Sequence, residues 1–347
     1  MLETVCKMGL SHCMTRSIVP NHNRRSRHLF WYLKALEVPF PASQYTTPSM
    51  VANRIWWPGS LSAFSRPTQR WVPIPLQNVP SHVPQRLSLI SWNIDAFSSQ
   101  PVSRTKLILN HILEGPKTPD LIFLQEVTPD VRASLLDDPR VRAAFLATDA
   151  EDQTSFEAVP FATMTLLSNE RFTSALDTQK EGDGNKGREK FMLRGASRFA
   201  LPSRYRRDAL YVDITCPTAS NTVFRLINVH LDSREDALHN RTQQMKLLAR
   251  FLREPMCSGG IIAGDFKAIS REDDTLIRDS ELVNAWIALH ERVDPDEEIE
   301  VLRPGLIKVP RPGEDSLEIP WSNHCGWRCT ITVKEVWNRS FFFEDEM

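Results

Sequence analysis

Leu87-Ser88-Leu89-Ile90-Ser91-Trp92-Asn93 is a short apolar run of strand type that ends on an amide. The period then changes: residues 103–113 place Leu107, Ile108, Ile112 and Leu113 at helical spacing. Asp120-Leu121-Ile122-Phe123-Leu124-Gln125 is a second buried strand. Further along, Tyr211-Val212-Asp213-Ile214 and Val223-Phe224-Arg225-Leu226-Ile227-Asn228-Val229 read as a β-hairpin pair. Residues 241–253 put Met245, Leu248, Phe251 and Leu252 on one face of an amphipathic helix. Gly259-Gly260-Ile261-Ile262-Ala263-Gly264-Asp265 is a strand running into a turn, and residues 328–336 alternate as a last strand. Strands mixed with helices, some parallel and some in hairpins, point to an α/β sandwich of sheets covered by helices.

Four of these strand ends deliver a polar residue out of an apolar run: Asn93, Glu126 after Leu124-Gln125, His230 after Asn228-Val229, and Asp265 after Ala263-Gly264. Any one alone is more simply a turn former or a structural histidine. Four in sequence, each at the end of a buried strand, point to a crevice that the sheets hold rigid.

The blocks Ser91-Trp92-Asn93, Leu124-Gln125-Glu126, Asn228-Val229-His230-Leu231-Asp232-Ser233, Gly264-Asp265 and Trp321-Ser322-Asn323-His324 resemble, in that order, the signatures of the endonuclease/exonuclease/phosphatase superfamily. Leu201-Pro202-Ser203-Arg204-Tyr205-Arg206-Arg207-Asp208-Ala209-Leu210 and Asn240-Arg241-Thr242-Gln243-Gln244 are similar to the tyrosyl-DNA phosphodiesterase 2 branch of it. The resemblance covers residues 87 to 336. It implies a DNase I-like, four-layer α/β sandwich of two mixed β-sheets flanked by helices. It also implies a Mg²⁺-dependent phosphodiesterase (Mn²⁺ being the alternative ion) that removes a 5′-tyrosyl or related adduct from DNA in repair, in the nucleus. On that resemblance Glu126 holds the metal, and Asn93 supports the metal or a phosphate oxygen. Asp265 activates the water, and His230 and His324 donate to phosphate oxygens. Arg207 and Arg241 are either phosphate-binding or structural guanidiniums. The chemistry suits the task, since splitting a phosphodiester needs charge neutralisation, a positioned water and help for the departing oxygen.

Three departures from the family pattern stand out. Lys267 replaces the family's Asn two residues after the aspartate; a lysine is donor-only, so it either neutralises phosphate as a substrate-binding residue or pairs with Asp265. Asn323 replaces the Asp before the last His, and by analogy with the Ser-His-Asp triad this costs up to about 10⁴ in turnover. Between Ala288 and Val301 only the charged Arg292-Val293-Asp294-Pro295-Asp296-Glu297-Glu298 is found, so one core strand near 289–300 is expected to be missing. The alternative function is therefore a catalytically impaired member that binds nucleic acid or protein.

The rest of the chain bounds rather than decides. Of its 347 residues, 41% are hydrophobic and 24% charged, enough apolar mass for a sizeable core, and the net charge of -1 gives no general case for a polyanionic partner. No run reaches the roughly 18–20 apolar residues of a membrane span, and nothing implies an obligate protein partner. Residues 1–85 are basic and proline-rich with exposed-looking Trp56, Trp57 and Trp71. They read as a disordered or loosely packed leader with a presequence-like composition, and the catalytic domain as residues 86–340. Mitochondrion and cytoplasm are thus alternative locations. Arg70-Trp71-Val72-Pro73 is the candidate entry arm to the domain. The six cysteines lack metal spacing and read as free thiols of a reducing compartment. A Gly/Asp/Lys-rich loop at residues 179–187, followed by Arg188, Lys190, Arg194 and Arg198, reads as a solvated insertion or a basic lip over a groove.

Overall fold

A computed structural model describes residues 29–33, 56–74, 86–115, 117–157, 159–172, 190–215, 222–285, 298–311 and 314–332. The strands are β1 (Leu29–Leu33), β2 (Trp56–Gly59), β3 (Leu61–Ser65), β4 (Arg70–Pro73), β5 (Arg86–Asn93), β6 (Leu121–Val127), β7 (Phe145–Thr148), β8 (Ala162–Ser168) and β9 (Leu193–Ala200). They continue as β10 (Asp208–Thr215), β11 (Val223–His230), β12 (Cys257–Asp265), β13 (Val283–Asn284), β14 (Glu298–Leu302), β15 (Leu306–Arg311), β16 (Glu314–Pro320) and β17 (Gly326–Thr332). The helices are α1 (Pro101–Leu113), α2 (Pro129–Asp137), α3 (Pro139–Ala144), α4 (Leu238–Phe251) and α5 (Leu276–Asp279).

Two mixed sheets result. One runs β13-β1-β12-β11-β10-β9-β2 and the other β14-β17-β5-β6-β8-β7-β3-β4, while β15 and β16 form a separate ribbon. Within them β11 pairs with β12 in parallel, and so does β5 with β6; the remaining pairings are antiparallel, including the expected β10/β11 hairpin. The period-2 alternation of each strand sorts its side chains between layers. Leu87, Leu89, Leu121, Phe123, Val212, Ile214, Phe224, Leu226, Ile261 and Ala263 fill the core between the sheets. The opposite parity faces the helices. Ile90, Trp92, Ile122 and Leu124 pack on Ile108, Leu109 and Ile112 of α1 and on Val131 and Leu135 of α2. Tyr211, Ile227, Val229 and Ile262 pack on Met245, Leu248, Ala249 and Phe251 of α4. The expected four-layer sandwich of two mixed sheets flanked by helices is what these clusters describe.

Several expectations change. Strand β14 begins at Glu298 and pairs antiparallel with β17, Glu298 to Thr330 through Leu302 to Gly326, so residues 298–302 form a strand of the second sheet. It lies at the sheet edge, where Glu300 pairs with Arg328 at 3.1 Å, and an edge position tolerates the charges that hid it. Residues 289–297 lie outside the described residues. The boundary at residue 86 does not divide the sheets either. β1 lies between β12 and β13, β2 borders β9, and β3 joins β4 to β7. Trp71 is half-buried rather than exposed, with its indole N–H donating to the Leu136 carbonyl at 3.1 Å. Cys257 and Cys329 are buried thiols outside any disulfide, whereas Cys325 is disulfide-bonded, which departs from six free thiols. The loop at 179–187 and Arg188 are outside the described residues. Arg198 is no basic lip: it is fully buried and bridges Asp149 and Asp208 at 2.9 Å each. No helix among the described residues is long and apolar enough to cross a membrane.

Candidate active site

The parallel pairs β5/β6 and β11/β12 end at the same crevice, one pair from each sheet. Counting by twos from the inter-sheet core, Asn93 shares the inward face with Leu87 and Leu89, His230 with Phe224 and Leu226, and Asp265 with Ile261 and Ala263. Toward this end the inner layer turns polar. Gln125 donates to Asn228 Oδ1 at 2.9 Å and to Ser91 Oγ at 3.1 Å, and Asn228 Nδ2 donates to the Met164 carbonyl at 3.0 Å.

Glu126 has the wrong parity for this face, yet its carboxylate is there. Between Leu124 and Val127 the β6/β8 register shifts, and Glu126 has φ 60°. This bulge turns the side chain inward at the cost of a left-handed backbone that L residues avoid. Asp95 (φ 58°), Arg206 (φ 55°) and Lys267 (φ 47°) carry the same strain in the segments around the crevice. Gly264, at φ 143°, explains the glycine before Asp265: a Cβ there would lie 1.9 Å from the Val229 carbonyl oxygen.

The centre is a bonded cluster. Asn93 Nδ2 donates to Asp265 Oδ2 at 2.7 Å and to Glu126 Oε1 at 2.9 Å, while its own oxygen accepts from the Asp95 N–H. Glu126 Oε2 accepts from the Ala96 N–H at 3.0 Å. Lys267 grips both oxygens of Asp265, its backbone N–H donating to Oδ1 at 3.0 Å and its Nζ lying 2.8 Å from Oδ2. The same Nζ is 3.7 Å from Glu126 Oε1. His230 Nε2 stands 3.7 Å from each of Glu126 Oε1 and Asp265 Oδ2. His324 Nδ1 is 3.9 Å from Asp265 Oδ2. Its loop is strapped to β5: Ser322 Oγ donates to the Asn93 carbonyl at 2.6 Å, the His324 N–H donates to Ser322 Oγ, and Trp92 Nε1 donates to the His324 carbonyl. Asn323 is exposed.

Burial opposes the charge on Asp265, but the Lys267 ammonium foremost, followed by His324 and His230, holds its carboxyl well below the usual range. Burial likewise opposes the charge on Lys267, and Asp265 with Glu126 outweighs it, raising the ammonium's pKa. His230 is held well below its ordinary value by burial and then by Arg207.

Of the substrate-binding candidates, Arg207 and Lys267 come to the crevice and Arg241 does not. Arg207 is half-buried, its guanidinium 5.0 Å from the Phe161 ring and 5.6 Å from the Tyr205 ring, with Nε lacking a partner. Burial lowers its pKa against the pull of Glu126 and Asp265. Arg241 is fully buried in a two-pronged pair with Asp273 at 2.6 and 2.9 Å, and it also donates to the carbonyls of Asp232 and Arg234. That is a core ion pair, the structural one of its two expected roles.

Sequence reasoning missed Phe161. It stacks on His230 at 5.6 Å and touches Phe97 edge-on at 5.4 Å, and Phe97 is 76% exposed. A small open cleft lies beside it, lined by Phe161, Thr163, Tyr205, Arg207 and His230 among others. Only a lone Pro160-Phe161 dipeptide marks it in sequence, which is no signal.

Glu126, Asp265 and His324 offer two carboxylate oxygens and an imidazole nitrogen within 4.8 Å of one another. By donor type and spacing they fit a small divalent cation.

No family model matches the chain, and no curated protein matches its sequence. It is similar to solved structures of D. rerio TDP2 complexed with single strand DNA product (17% identity, 71% of this chain and 99% of that one, TM-score 0.46). It is also similar to the human Nocturnin catalytic domain with bound sulfate (17%, 71% and 93%, TM-score 0.45) and to sphingomyelinase C from Streptomyces griseocarneus (14%, 71% and 99%, TM-score 0.47). All three are DNase I-like members of the superfamily that the sequence motifs resemble.

Proposed function

We propose that this chain is a hydrolase of phosphodiesters whose preferred substrate is DNA carrying a 5′-tyrosyl or related adduct, acting in repair in the nucleus. The observation that supports the reading most is the convergence of Asn93, Glu126, His230, Asp265 and His324 from four strand ends and one strapped loop. Arg207 and Lys267 add two cations beside two buried carboxylates, the balance a phosphate needs on arrival. The DNA partner and the nuclear location rest on the motif resemblance.

Glu126 and Asp265, with His324, would hold Mg²⁺ or Mn²⁺. When bound, such an ion supplies Lewis-acid charge stabilisation and orients the substrate. Arg207 donates to a phosphate oxygen through its unpartnered Nε. His324 and His230 donate to the oxygens on which charge accumulates. Asn93 keeps the two carboxylates at fixed separation. Asp265 orients the attacking water as a hydrogen-bond acceptor.

The test is release of tyrosine from a 5′-phosphotyrosyl single-stranded oligonucleotide with Mg²⁺ or with chelator, alongside Asp265→Asn. Metal-dependent release that Asp265→Asn abolishes is expected. Absence of release from the unmodified protein, and from a simple aryl phosphodiester, would sink the enzymatic reading. One observation favours a second one: the Lys267 ammonium already pairs with Asp265, as suits a module that binds a nucleic-acid phosphate without cleaving it. Salt-dependent oligonucleotide binding without turnover would establish that function instead.

A further inference from the structure

Lys267 does more than sit near the carboxylates. Its residue is clamped onto Asp265 at two points, backbone N–H to Oδ1 and ammonium to Oδ2, and the left-handed turn at φ 47° is what allows both. The ammonium lies 2.8 Å from Asp265 Oδ2 and 3.7 Å from Glu126 Oε1. These two residues supply the acidic members of the cluster able to hold a cation. A divalent ion needs those oxygens stripped of other cations, and it cannot share them with a positive charge at contact distance without repulsion.

We propose that Lys267 is a tethered competitor for the metal site: its ammonium stands in for the ion, and metal binds only as Lys267 lets go of Asp265 and Glu126. The inference rests on the proposed metal-assisted reading and specifies what this chain does to it. The site has a charge-balanced resting state without any ion, unlike a pair of bare buried carboxylates, which would be costly. Metal occupancy becomes a switch between two cations of the same cluster, with affinity set low by the lysine. Displacement of the ammonium leaves it free to meet a phosphate, so anionic substrate and metal are expected to help each other in.

Mn²⁺ binding, followed by calorimetry and by the paramagnetic signal of free Mn²⁺, tests this directly. The proteins are the full chain, Lys267→Asn, Lys267→Gln and the charge-retaining Lys267→Arg. Asparagine tolerates the left-handed backbone at this position, and glutamine gives a second neutral variant should it misfold. Folding of each metal-free protein is checked by its thermal transition. The neutral variants are expected to bind Mn²⁺ about tenfold tighter or more than the unmodified chain, and Lys267→Arg no tighter than it. Mn²⁺ should also raise the melting temperature of the neutral variants more than that of the unmodified chain. Equal affinity in the unmodified chain and both neutral variants would overturn the inference while leaving metal-assisted hydrolysis standing. No Mn²⁺ binding by folded neutral variants would remove the inference and the metal site together. The tyrosine-release assay, read separately, bears on the hydrolase proposal alone.

Discussion

Replacing Arg241 by Met distinguishes a core guanidinium from a phosphate-binding one. The side chain is fully buried, forms two short bonds to Asp273 and donates to two carbonyls. Removing one partner of such a buried pair costs about 3–5 kcal/mol, because the other charge stays behind without compensation. Here the lower half of that range applies. Asp273 keeps three bonds that do not involve Arg241, from the Ile269 N–H, the Ser270 N–H and the Ser270 hydroxyl. At about 2–4 °C per kcal/mol for a domain of this size, roughly 3 kcal/mol is a fall of about 6–12 °C in melting temperature. Differential scanning calorimetry on the unmodified chain, Arg241→Met, Asp273→Asn and the double variant gives the coupling directly. The double variant should be more stable than the sum of the single losses implies, since neither charge is then stranded. Oligonucleotide affinity, measured well below the transition, should change little. A variant whose melting temperature stays within about 1 °C while its affinity falls tenfold would refute the structural assignment.

Three further outcomes are expected elsewhere in the molecule. Gly264→Ala should cost of the order of 4 kcal/mol or prevent folding, because the new Cβ meets the Val229 backbone in a conformation an L residue rarely adopts; soluble yield and thermal melts check it. Asn93→Ala should lower tyrosine release by about 10²-fold through loss of carboxylate positioning, and Asn93→Asp should be worse because it adds a third negative charge. Asp213, held up to about 6 by burial against the opposing Arg225, gives a pH signature away from the site. Its unfolded pKa is about 3.9, so between roughly pH 4 and 6 the folded state binds more protons and stability falls as pH rises, levelling above that. Urea melts across this window should show the slope for the unmodified chain, and Asp213→Asn should flatten it.

A residue is legible in sequence to the extent that its local pattern reports its surroundings. Strands buried on both faces announce themselves, so β5, β6, β11 and β12 were visible with the residues that end them. Asn93, His230 and Asp265 also obey strand parity, which made their convergence a fair inference. Glu126 does not; only the bulge at φ 60° brings it inward, and no side-chain pattern encodes a single left-handed residue. Strands β1 to β4 are four or five residues long with prolines and tryptophans, too short for any period to emerge. Strand β14 was hidden by the charges an edge tolerates. Arginines are the least legible: Arg198 reads as a surface charge, and Arg241 as either a phosphate-binding or a structural guanidinium, yet each is buried beside aspartates distant along the chain.

The pairing of β17 with β5 joins residues near 326–332 to residues near 86–93, and β1 joins residues near 29–33 to residues near 261–265. Contacts of such sequence separation form late, since long loops must close before any pairing stabilises them. On the ribosome, β5 and β6 therefore emerge well before the strands that complete their sheets. During that interval their apolar faces are open to wrong partners. His324 lies just before β17, so the crevice is complete only when the last described strand docks. A nascent chain thus holds no finished cluster of Asn93, Asp265 and His324 until the strand after His324 has paired with β5, so the site is assembled from segments far apart along the polypeptide.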